Sequence, residues 1–138
     1  MKKREHISTI MTKDVSTIDI NSTLHEVNEI FAKNHFRHLP VLSNNELVGI
    51  ISQTDILRIS FGNTFGEEQG DADQAIFDML SINQVMKHDP VIIGHDQTIR
   101  EAAQIFTEHE FHALPVLAEG KTVGIVTTTD IIKYFLNA

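Results

Sequence analysis

The sequence contains two copies of one unit, related by a constant offset of 75 positions that places Asp55 on Asp130. The match continues along both copies without a gap, so chance similarity is excluded. The identical pairs include Met11 with Met86, Asp14 with Asp89, Thr23 with Thr98, Glu26 with Glu101, Phe36 with Phe111, Leu39–Leu42 with Leu114–Leu117, and Val48–Ile50 with Val123–Ile125. Such a repeat predicts two structurally equivalent halves.

The first half of each copy predicts a short strand and an amphipathic helix. Val15–Ile18 and Val91–Ile93 are β-prone apolar runs, each following a predicted one-turn helix that ends near Met11 or Met86. A helix then begins at Thr23 or Thr98, where a hydroxyl residue is followed three positions later by Glu, as in a capping box. Apolar residues recur at helical spacing within it and predict one buried face.

The second half of each copy predicts an antiparallel hairpin and a closing helix. Leu39–Leu42 and Leu47–Ile51 are apolar runs separated by the turn-forming residues Ser43–Glu46. Copy two repeats this arrangement around Ala118–Lys121 and continues into a helix through Tyr134.

The repeat as a whole predicts an α+β fold. We expect two β-α-β-β-α units that pack sheet to sheet with pseudo-twofold symmetry, because a single unit leaves one sheet face uncovered. The predicted organisation is a first domain at 1–60, an acidic, Gly-containing connection with a short helix at 61–80, and a second domain at 81–138. The helical pattern in the connection spans Gln74–Leu80.

Charge and composition exclude several classes of function. Acidic residues outnumber Lys and Arg by 19 to 11, and the net charge of −8 disfavours contact with nucleic acid. Without cysteine the chain has neither a disulfide, nor a thiolate metal site, nor a Cys nucleophile. The basic residues 2–4 precede polar residues, so we expect no signal peptide, no membrane partner and a cytoplasmic location.

Hydroxyl and carboxylate residues follow the second hairpin strand in both copies, where the closing helix begins. Ser52, Thr54 and Asp55 form this group in copy one, and Thr127, Thr129 and Asp130 form it in copy two. A helix N-terminus favours phosphate. An ionised carboxylate accepts hydrogen bonds from a vicinal diol such as that of ribose. Simple helix capping by the same residues is the open alternative.

A second candidate group lies where each first hairpin strand begins. Arg37 offers a bidentate fork to phosphate, and His38 or His112 offers a further donor. Phe36 and Phe111 precede these residues. The copies differ here, because copy two has His112–Ala113 where copy one has Arg37–His38. We therefore expect unequal binding by the two copies.

The repeated pattern of a hydrophobic-Pro-Val strand followed by Gly-hydrophobic-hydrophobic-Ser/Thr-x-x-Asp resembles the CBS domain, named for cystathionine β-synthase. Residues 7–60 and 82–136 each resemble one such domain, and a pair is called a Bateman module. The resemblance implies a regulatory module that binds AMP, ADP, ATP, S-adenosylmethionine or a related nucleotide in two clefts between the paired domains.

The resemblance also implies that each cleft combines residues of both copies. Asp55 and Asp130 would hold ribose hydroxyls, with the neighbouring hydroxyl residues close to ribose or phosphate. The cleft of Asp130 would take its adenine-facing wall from Ser16, Thr17, Phe36 and Arg37. The cleft of Asp55 would take its wall from Val91, Ile92, Phe111 and His112.

The sequence suggests three functional interpretations. A metal-dependent enzyme is disfavoured, because His35/His38 and His109/His112 lack the spacing of a helical zinc motif. The preferred interpretation is a stand-alone, non-enzymatic module without a catalytic cofactor that forms a homodimer and transmits a conformational change to a separate effector protein. The alternative is a ligand-free interaction or dimerisation scaffold.

Overall fold

The computed structural model describes residues 5–60 and 71–138 of the chain. After a single 3-10 turn at Ile7–Thr9, the strands and helices follow the order of the repeat. The elements are β1 (Thr12–Lys13), β2 (Ile18–Asp19), α1 (Leu24–Lys33), β3 (His38–Ser43), β4 (Glu46–Ser52), α2 (Gln53–Arg58), α3 (Asp71–Met79), α4 (Ile82–Val85), β5 (Lys87–His88), β6 (Ile93–Gly94), α5 (Ile99–Glu108), β7 (Ala113–Ala118), β8 (Lys121–Thr127) and α6 (Thr128–Leu136).

The β-α-β-β-α prediction is confirmed in both copies. Copy one contains β2-α1-β3-β4-α2 and copy two contains β6-α5-β7-β8-α6. In each copy the first strand is parallel to the second, and the second and third form an antiparallel hairpin. The first strand has only two paired residues and begins at the end of the predicted run. The predicted helix near Gln74–Leu80 is α3, whereas residues 61–70 of the predicted connection lie outside the described residues.

Both hairpins turn through two consecutive residues with positive φ. These are Asn44 (φ 51°) and Asn45 (φ 66°) in copy one, and Glu119 (φ 53°) and Gly120 (φ 80°) in copy two. Positive φ at both central positions is the type I′ geometry, whose twist matches that of the flanking strands. Asn and Gly tolerate this conformation, which explains Asn44, Asn45 and Gly120, whereas Glu119 is not a residue that favours it.

Each four-stranded sheet receives its edge strand from the segment preceding the other copy. β5 pairs with β4, and β1 pairs with β8. The chain accordingly divides into a copy-one unit, Ser16–Asp89, and a copy-two unit composed of 5–15 and Pro90–Ala138. The sequence repeat did not predict this exchange. The predicted boundaries at 60 and 81 describe the repeat and stay a prediction, whereas the units combine segments from both sides of them.

The repeated glycines allow these edge strands to approach. A Cβ atom on Gly124 would lie 2.7 Å from the carbonyl oxygen of Thr12 and 2.8 Å from the sulfur of Met11. At Gly49 a Cβ atom would lie 2.8 Å from the carbonyl oxygen of Lys87. Only a residue without a side chain fits at these close backbone approaches, so Gly49 and Gly124 have a structural role in both copies.

Each unit has its own hydrophobic core. In the copy-one unit, fully buried Leu24, Leu39 and Ile51 pack with Phe77 of α3. In the copy-two unit, Ile7 is fully buried with Ile99 and other apolar residues of the second repeat. The turn at Ile7–Thr9 is therefore part of the copy-two core. Within 5–60 and 71–138, no helix has the length and apolar character required to cross a membrane.

Candidate functional site

The copy-one candidates lie at one end of the copy-one sheet. Because β2 is parallel to β3 and β4 is antiparallel to it, the starts of β2 and β3 and the end of β4 lie at the same sheet end. His38 is directly opposite Ser52 in the register, and the Gln53 amide donates to the Arg37 carbonyl at 2.9 Å. The candidates at this end are Ser16, Thr17, Phe36, Arg37, His38, Ser52, Thr54 and Asp55.

The copy-two candidates have the same arrangement. Ala113 is opposite Thr127, and the Thr128 amide donates to the His112 carbonyl at 3.0 Å. The candidates at this end are Val91, Ile92, Phe111, His112, Ala113, Thr127, Thr129 and Asp130. The structure thus brings together, within each unit, the predicted residues of that copy. Whether residues of the two copies share a cleft stays a prediction.

Both closing helices begin with a reciprocal capping box. In copy one, Asp55 Oδ2 accepts from the Ser52 amide at 2.9 Å, and Ser52 Oγ accepts from the Asp55 amide at 3.1 Å. Asp130 and Thr127 make the equivalent bonds at 2.9 Å and 3.2 Å in copy two. The capping interpretation is therefore confirmed for these four residues. Capping occupies only one oxygen of each carboxylate, so the second oxygen decides what else the residue can bind.

The hydrogen bonding of the second carboxylate oxygen differs between Asp55 and Asp130. Asp55 Oδ1 accepts a 3.1 Å hydrogen bond from Arg58 Nη1, and Asp55 is 2 % exposed. In copy two, Lys133 occupies the repeat position of Arg58. Asp130 is partly exposed, and its Oδ1 accepts no hydrogen bond from any residue in 5–60 or 71–138. Asp130 therefore retains an acceptor that Asp55 has already used.

The candidate residues at these two sheet ends include both polar and apolar side chains. Thr54 and Thr129 are exposed, and their hydroxyls bond to no described residue. Val91 and Ile92 are adjacent and are 39 % and 44 % exposed, so both side chains are accessible. Accessible apolar side chains and exposed hydroxyls are the kinds of group that contact an apolar ring and a hydroxylated sugar.

One histidine of the pairs considered and disfavoured as zinc ligands stacks on an aromatic ring. His109 stacks on Phe111, with ring centroids 4.7 Å apart and planes 14° apart. Among the described residues, no group of three or more His, Asp or Glu side chains has the arrangement of a metal site. Among the residues that the structure describes, two carboxyls have a lowered pKa, those of Glu29 and Glu101, and both lie outside the candidate sheet ends. Lys33 lowers the pKa of Glu29, and hydrogen bonds from Gln97 and Thr98 lower the pKa of Glu101.

A comparison of the sequence with known protein families also finds two copies of one unit. The sequence profile of the CBS domain matches residues 7–62 and 82–137. The chain belongs to the CBS domain family. Its curated relatives include the uncharacterized protein MJ1225 of Methanocaldococcus jannaschii, 28 % identical over 96 % of this chain and 48 % of that protein. The inosine-5'-monophosphate dehydrogenase of Korarchaeum cryptofilum is 25 % identical over 94 % of this chain but only 24 % of the enzyme. The CBS pair thus spans about half or less of these relatives.

Solved CBS pairs share the fold. The crystal structure of MJ1225, described in relation to γ-AMPK, has a TM-score of 0.79 at 30 % identity, covering 98 % of this chain and 49 % of that one. CBSX2 of Arabidopsis thaliana in complex with AMP has a TM-score of 0.77 at 22 % identity, covering 96 % and 97 %. The CBS pair of MJ0100 in complex with 5-methylthioadenosine and S-adenosyl-L-methionine has a TM-score of 0.78 at 23 % identity, with 96 % of each chain covered.

Sequence reasoning missed one residue that affects the candidate site of the first CBS domain. Arg58 binds the second oxygen of Asp55, and its position three residues after Asp55 on a predicted helix was the available signal. The second CBS domain has Lys133 at the position equivalent to Arg58, and this difference was also visible in the sequence. The repeat alignment therefore showed that the two copies differ at this position, and the structure showed the bond that Arg58 makes.

Proposed function

We propose that this CBS pair is a non-catalytic regulatory module that binds an adenosine-containing nucleotide of the AMP, ADP, ATP or S-adenosylmethionine type. The nucleotide binds in clefts between the two domains and changes their arrangement, and a separate effector protein senses the change. A bound ligand shifts such an equilibrium only by its difference in affinity between the two arrangements.

The observation that carries the proposal is the unused oxygen of Asp130. A carboxylate beside an exposed hydroxyl, Thr129, at a helix start suits the 2′- and 3′-hydroxyls of ribose, which donate to it. In the proposed complex, Ser16, Thr17, Phe36 and Arg37 of the other copy contact the adenine or the phosphate. Arg37 is exposed, so its guanidinium is available for an anion.

The cleft of Asp55 is the weaker site in this proposal. A ribose there must reach a carboxylate that is 2 % exposed and displace the Arg58 guanidinium from Asp55 Oδ1, which costs about 0.2–1 kcal/mol because the Arg58 side chain is 64 % exposed. In that cleft His112 takes the place that Arg37 has in the cleft of Asp130, with Val91, Ile92 and Phe111 as its apolar wall. We therefore propose one high-affinity nucleotide per chain.

The relatives support the ligand class. CBSX2 was crystallised with AMP, and the pair from MJ0100 with 5-methylthioadenosine and S-adenosyl-L-methionine. All three ligands contain adenosine. These relatives, together with the free carboxylate oxygen of Asp130, support the proposal that this chain binds an adenosine-containing ligand.

The alternative function is a ligand-free scaffold for interaction or dimerisation. Its supporting observation is the exposure of large apolar side chains on α6, including Phe135 at 67 % and Leu136 at 74 %. Homodimer formation is compatible with both functions and is part of the proposal. The cytoplasmic location expected from the sequence stays a prediction.

A thermal-shift screen tests the proposal against the scaffold. The intact chain is heated with AMP, ADP, ATP, S-adenosylmethionine, GMP as a base control, and adenine as a control without ribose. Selective binding to the folded chain raises the unfolding midpoint, by about 2.7 kcal/mol of added stability at a ligand concentration of about 100 Kd. A rise with adenosine ligands but not with GMP or adenine supports the proposal. No rise with any adenosine ligand supports the scaffold.

A further inference from the structure

The chain passes between its two units at two places, after Val15 and after Asp89. Each passage begins where an edge strand ends, since β1 ends at Lys13 and β5 ends at His88. Each then leads to the first strand of the other sheet, from β1 to β2 and from β5 to β6. We call 14–17 and 89–92 the crossing segments, and they occupy equivalent positions in the repeat.

Both crossing segments begin with an aspartate in the left-handed region of backbone conformation. Asp14 has φ 52° and Asp89 has φ 46°. Among the residues that the structure describes, the other non-glycine residues with positive φ are Asn44, Asn45 and Glu119, which all lie in hairpin turns. A hairpin turn requires that conformation, whereas a passage between sheets does not. Left-handed backbone is intrinsically unfavourable for a residue with a Cβ atom, although Asp tolerates it better than most.

The crossing segments make few interactions that would hold this conformation. Asp14 and Asp89 are exposed, and neither carboxylate accepts a hydrogen bond from any residue in 5–60 or 71–138. The Asp89 amide donates to the Val48 carbonyl at 3.4 Å, which is a long hydrogen bond. Exposed backbone with few hydrogen bonds belongs to the part of a structure that rearranges most readily.

We propose that Asp14 and Asp89 are the hinge residues at which the two units change their arrangement. This inference rests on the proposed function, because it supplies the movement by which a bound nucleotide is sensed. The hinges of moving domains are a few residues at the ends of elements that absorb the change in backbone angles. An uncommon φ at both passages between the units marks the residues that have such a change available.

The position of the hinges connects them to the proposed nucleotide site. Ser16 and Thr17 follow the first hinge, and Val91 and Ile92 follow the second. These four exposed residues belong to the proposed adenine-facing walls. A nucleotide held by them fixes the backbone two positions from a hinge, so its binding selects one φ state of that hinge.

The two hinges differ in the residue that follows them. Asp89 precedes Pro90, and proline disfavours right-handed helical backbone for the residue before it. Asp14 precedes Val15 at the equivalent position, so it has no such restriction. Asp14 therefore has more conformations available and is the main hinge.

The test measures the distance between the two units in the intact chain. The chain has no cysteine, so Ala32→Cys and Thr107→Cys introduce two labelling sites without any background. These exposed positions are repeat equivalents on α1 and α5, one in each unit. Double electron–electron resonance between spin labels gives the distance distribution, and dilution with unlabelled chain removes distances between chains.

Glycine substitutions in the labelled chain identify the hinge. Glycine adopts positive and negative φ about equally readily, so two φ states replace one in Asp14→Gly. We expect its distance distribution without nucleotide to be about twofold broader than that of the parent chain. Asp89→Gly should broaden the distribution less, because Pro90 still restricts it. Asn44→Gly is the matched control, since it makes a glycine at φ 51° inside a hairpin turn of one unit and should change nothing.

Addition of AMP tests whether the hinge responds to a nucleotide. We expect AMP to narrow the Asp14→Gly distribution to the width of the parent chain with AMP, because the bound state has one arrangement. A thermal-shift measurement on the same labelled chains reports AMP binding separately. Broadening by Asp14→Gly without an AMP-induced rise of the midpoint would support the hinge and contradict AMP as the ligand of the proposed function.

Three results would overturn the proposal. One is an Asp14→Gly distribution as narrow as that of the parent chain. Another is equal broadening by Asn44→Gly, which would show that the distribution does not report on the crossing segments. The third is an AMP-induced rise of the unfolding midpoint of Asp14→Gly without any narrowing of its distance distribution.

Discussion

Arg58 and Asp55 form an ion pair one helical turn apart, with Nη1 3.1 Å from Oδ1. The pair completes the bonding of a carboxylate that already caps α2, so both Asp55 oxygens are occupied within the copy-one unit. Asp130 caps α6 in the same way but has Lys133 at the position of Arg58, and its outer oxygen has no described partner. The two copies have therefore diverged at the carboxylates that the CBS resemblance assigns to ribose.

The first prediction concerns stability. Asp55→Ala removes a carboxylate that is 2 % exposed, leaves the part-buried Ser52 amide unpaired and removes the ion pair with Arg58, so we expect it to lower the free energy of unfolding by about 1–3 kcal/mol. Asp130→Ala loses only a cap, which costs about 1 kcal/mol. Urea denaturation of both variants measures the difference. Equal losses of unfolding free energy in the two variants would contradict the contribution that we assign to the Arg58–Asp55 ion pair.

The second prediction concerns the repeated glycines. Gly124→Ala places a methyl group 2.7 Å from the Thr12 carbonyl oxygen, and we expect the forced separation of β1 and β8 to cost about 1–3 kcal/mol. Gly94→Ala is the control, because its Cβ would meet mainly flexible side-chain atoms of Asp96 and Gln97. Thermal unfolding compares the two. A Gly124→Ala protein as stable as wild type would show that β1 does not pack there in solution.

The third prediction concerns α3. Phe77→Ala removes a ring that is 2 % exposed and should destabilise the chain by about 3–5 kcal/mol. Met79→Ala, on the same helix at 75 % exposure, should change stability by less than about 0.5 kcal/mol. Chemical denaturation followed by circular dichroism measures both changes. Equal effects of the two substitutions would show that α3 is not attached through Phe77.

The fourth prediction concerns the effect of acidic pH on stability, through Glu101 in the first turn of α5. Hydrogen bonds from Gln97 and Thr98 lower the pKa of Glu101 in the folded chain. The resulting stabilisation is present above the unfolded-state pKa of about 4.3 and is lost as the pH falls through the lower folded-state pKa. Glu101→Gln should therefore reduce the loss of stability on acidification, measured as the difference between unfolding midpoints at neutral and acidic pH. An unchanged pH dependence in this variant would contradict the contribution of Glu101.

Local sequence signals predicted most of the fold. The Thr-x-x-Glu pattern predicted the starts of α1 and α5, and Asn44–Asn45 predicted the first hairpin turn, because caps and turns depend on neighbouring residues. The exchange of β1 and β5 could not be predicted in this way. Each has two residues, and its partner strand lies in the other repeat, so no local periodicity encodes the pairing. The equivalence of Met11 and Met86 was visible in the sequence. Their positions against Gly124 and Gly49, respectively, were seen only in the three-dimensional structure.

The candidate site was predictable only in part. The grouping of Arg37 with Ser52 and Asp55 follows from strand order, which the hairpin pattern predicts. Bonding of the second carboxylate oxygen depends on a side-chain rotamer of Arg58 that sequence alone does not determine.

Calorimetric titration of the intact chain with the nucleotide found in the thermal-shift screen tests the central claim most directly. Asp130→Asn keeps a carbonyl oxygen to cap α6 but replaces the other acceptor by an amide donor. We predict that Asp130→Asn binds the nucleotide about ten- to a hundredfold more weakly than wild type, which corresponds to about 1.5–3 kcal/mol. The controls are Asp55→Asn and the exposed Asp96→Ala, and both should bind within about threefold of wild type. Unchanged affinity in Asp130→Asn would contradict the account.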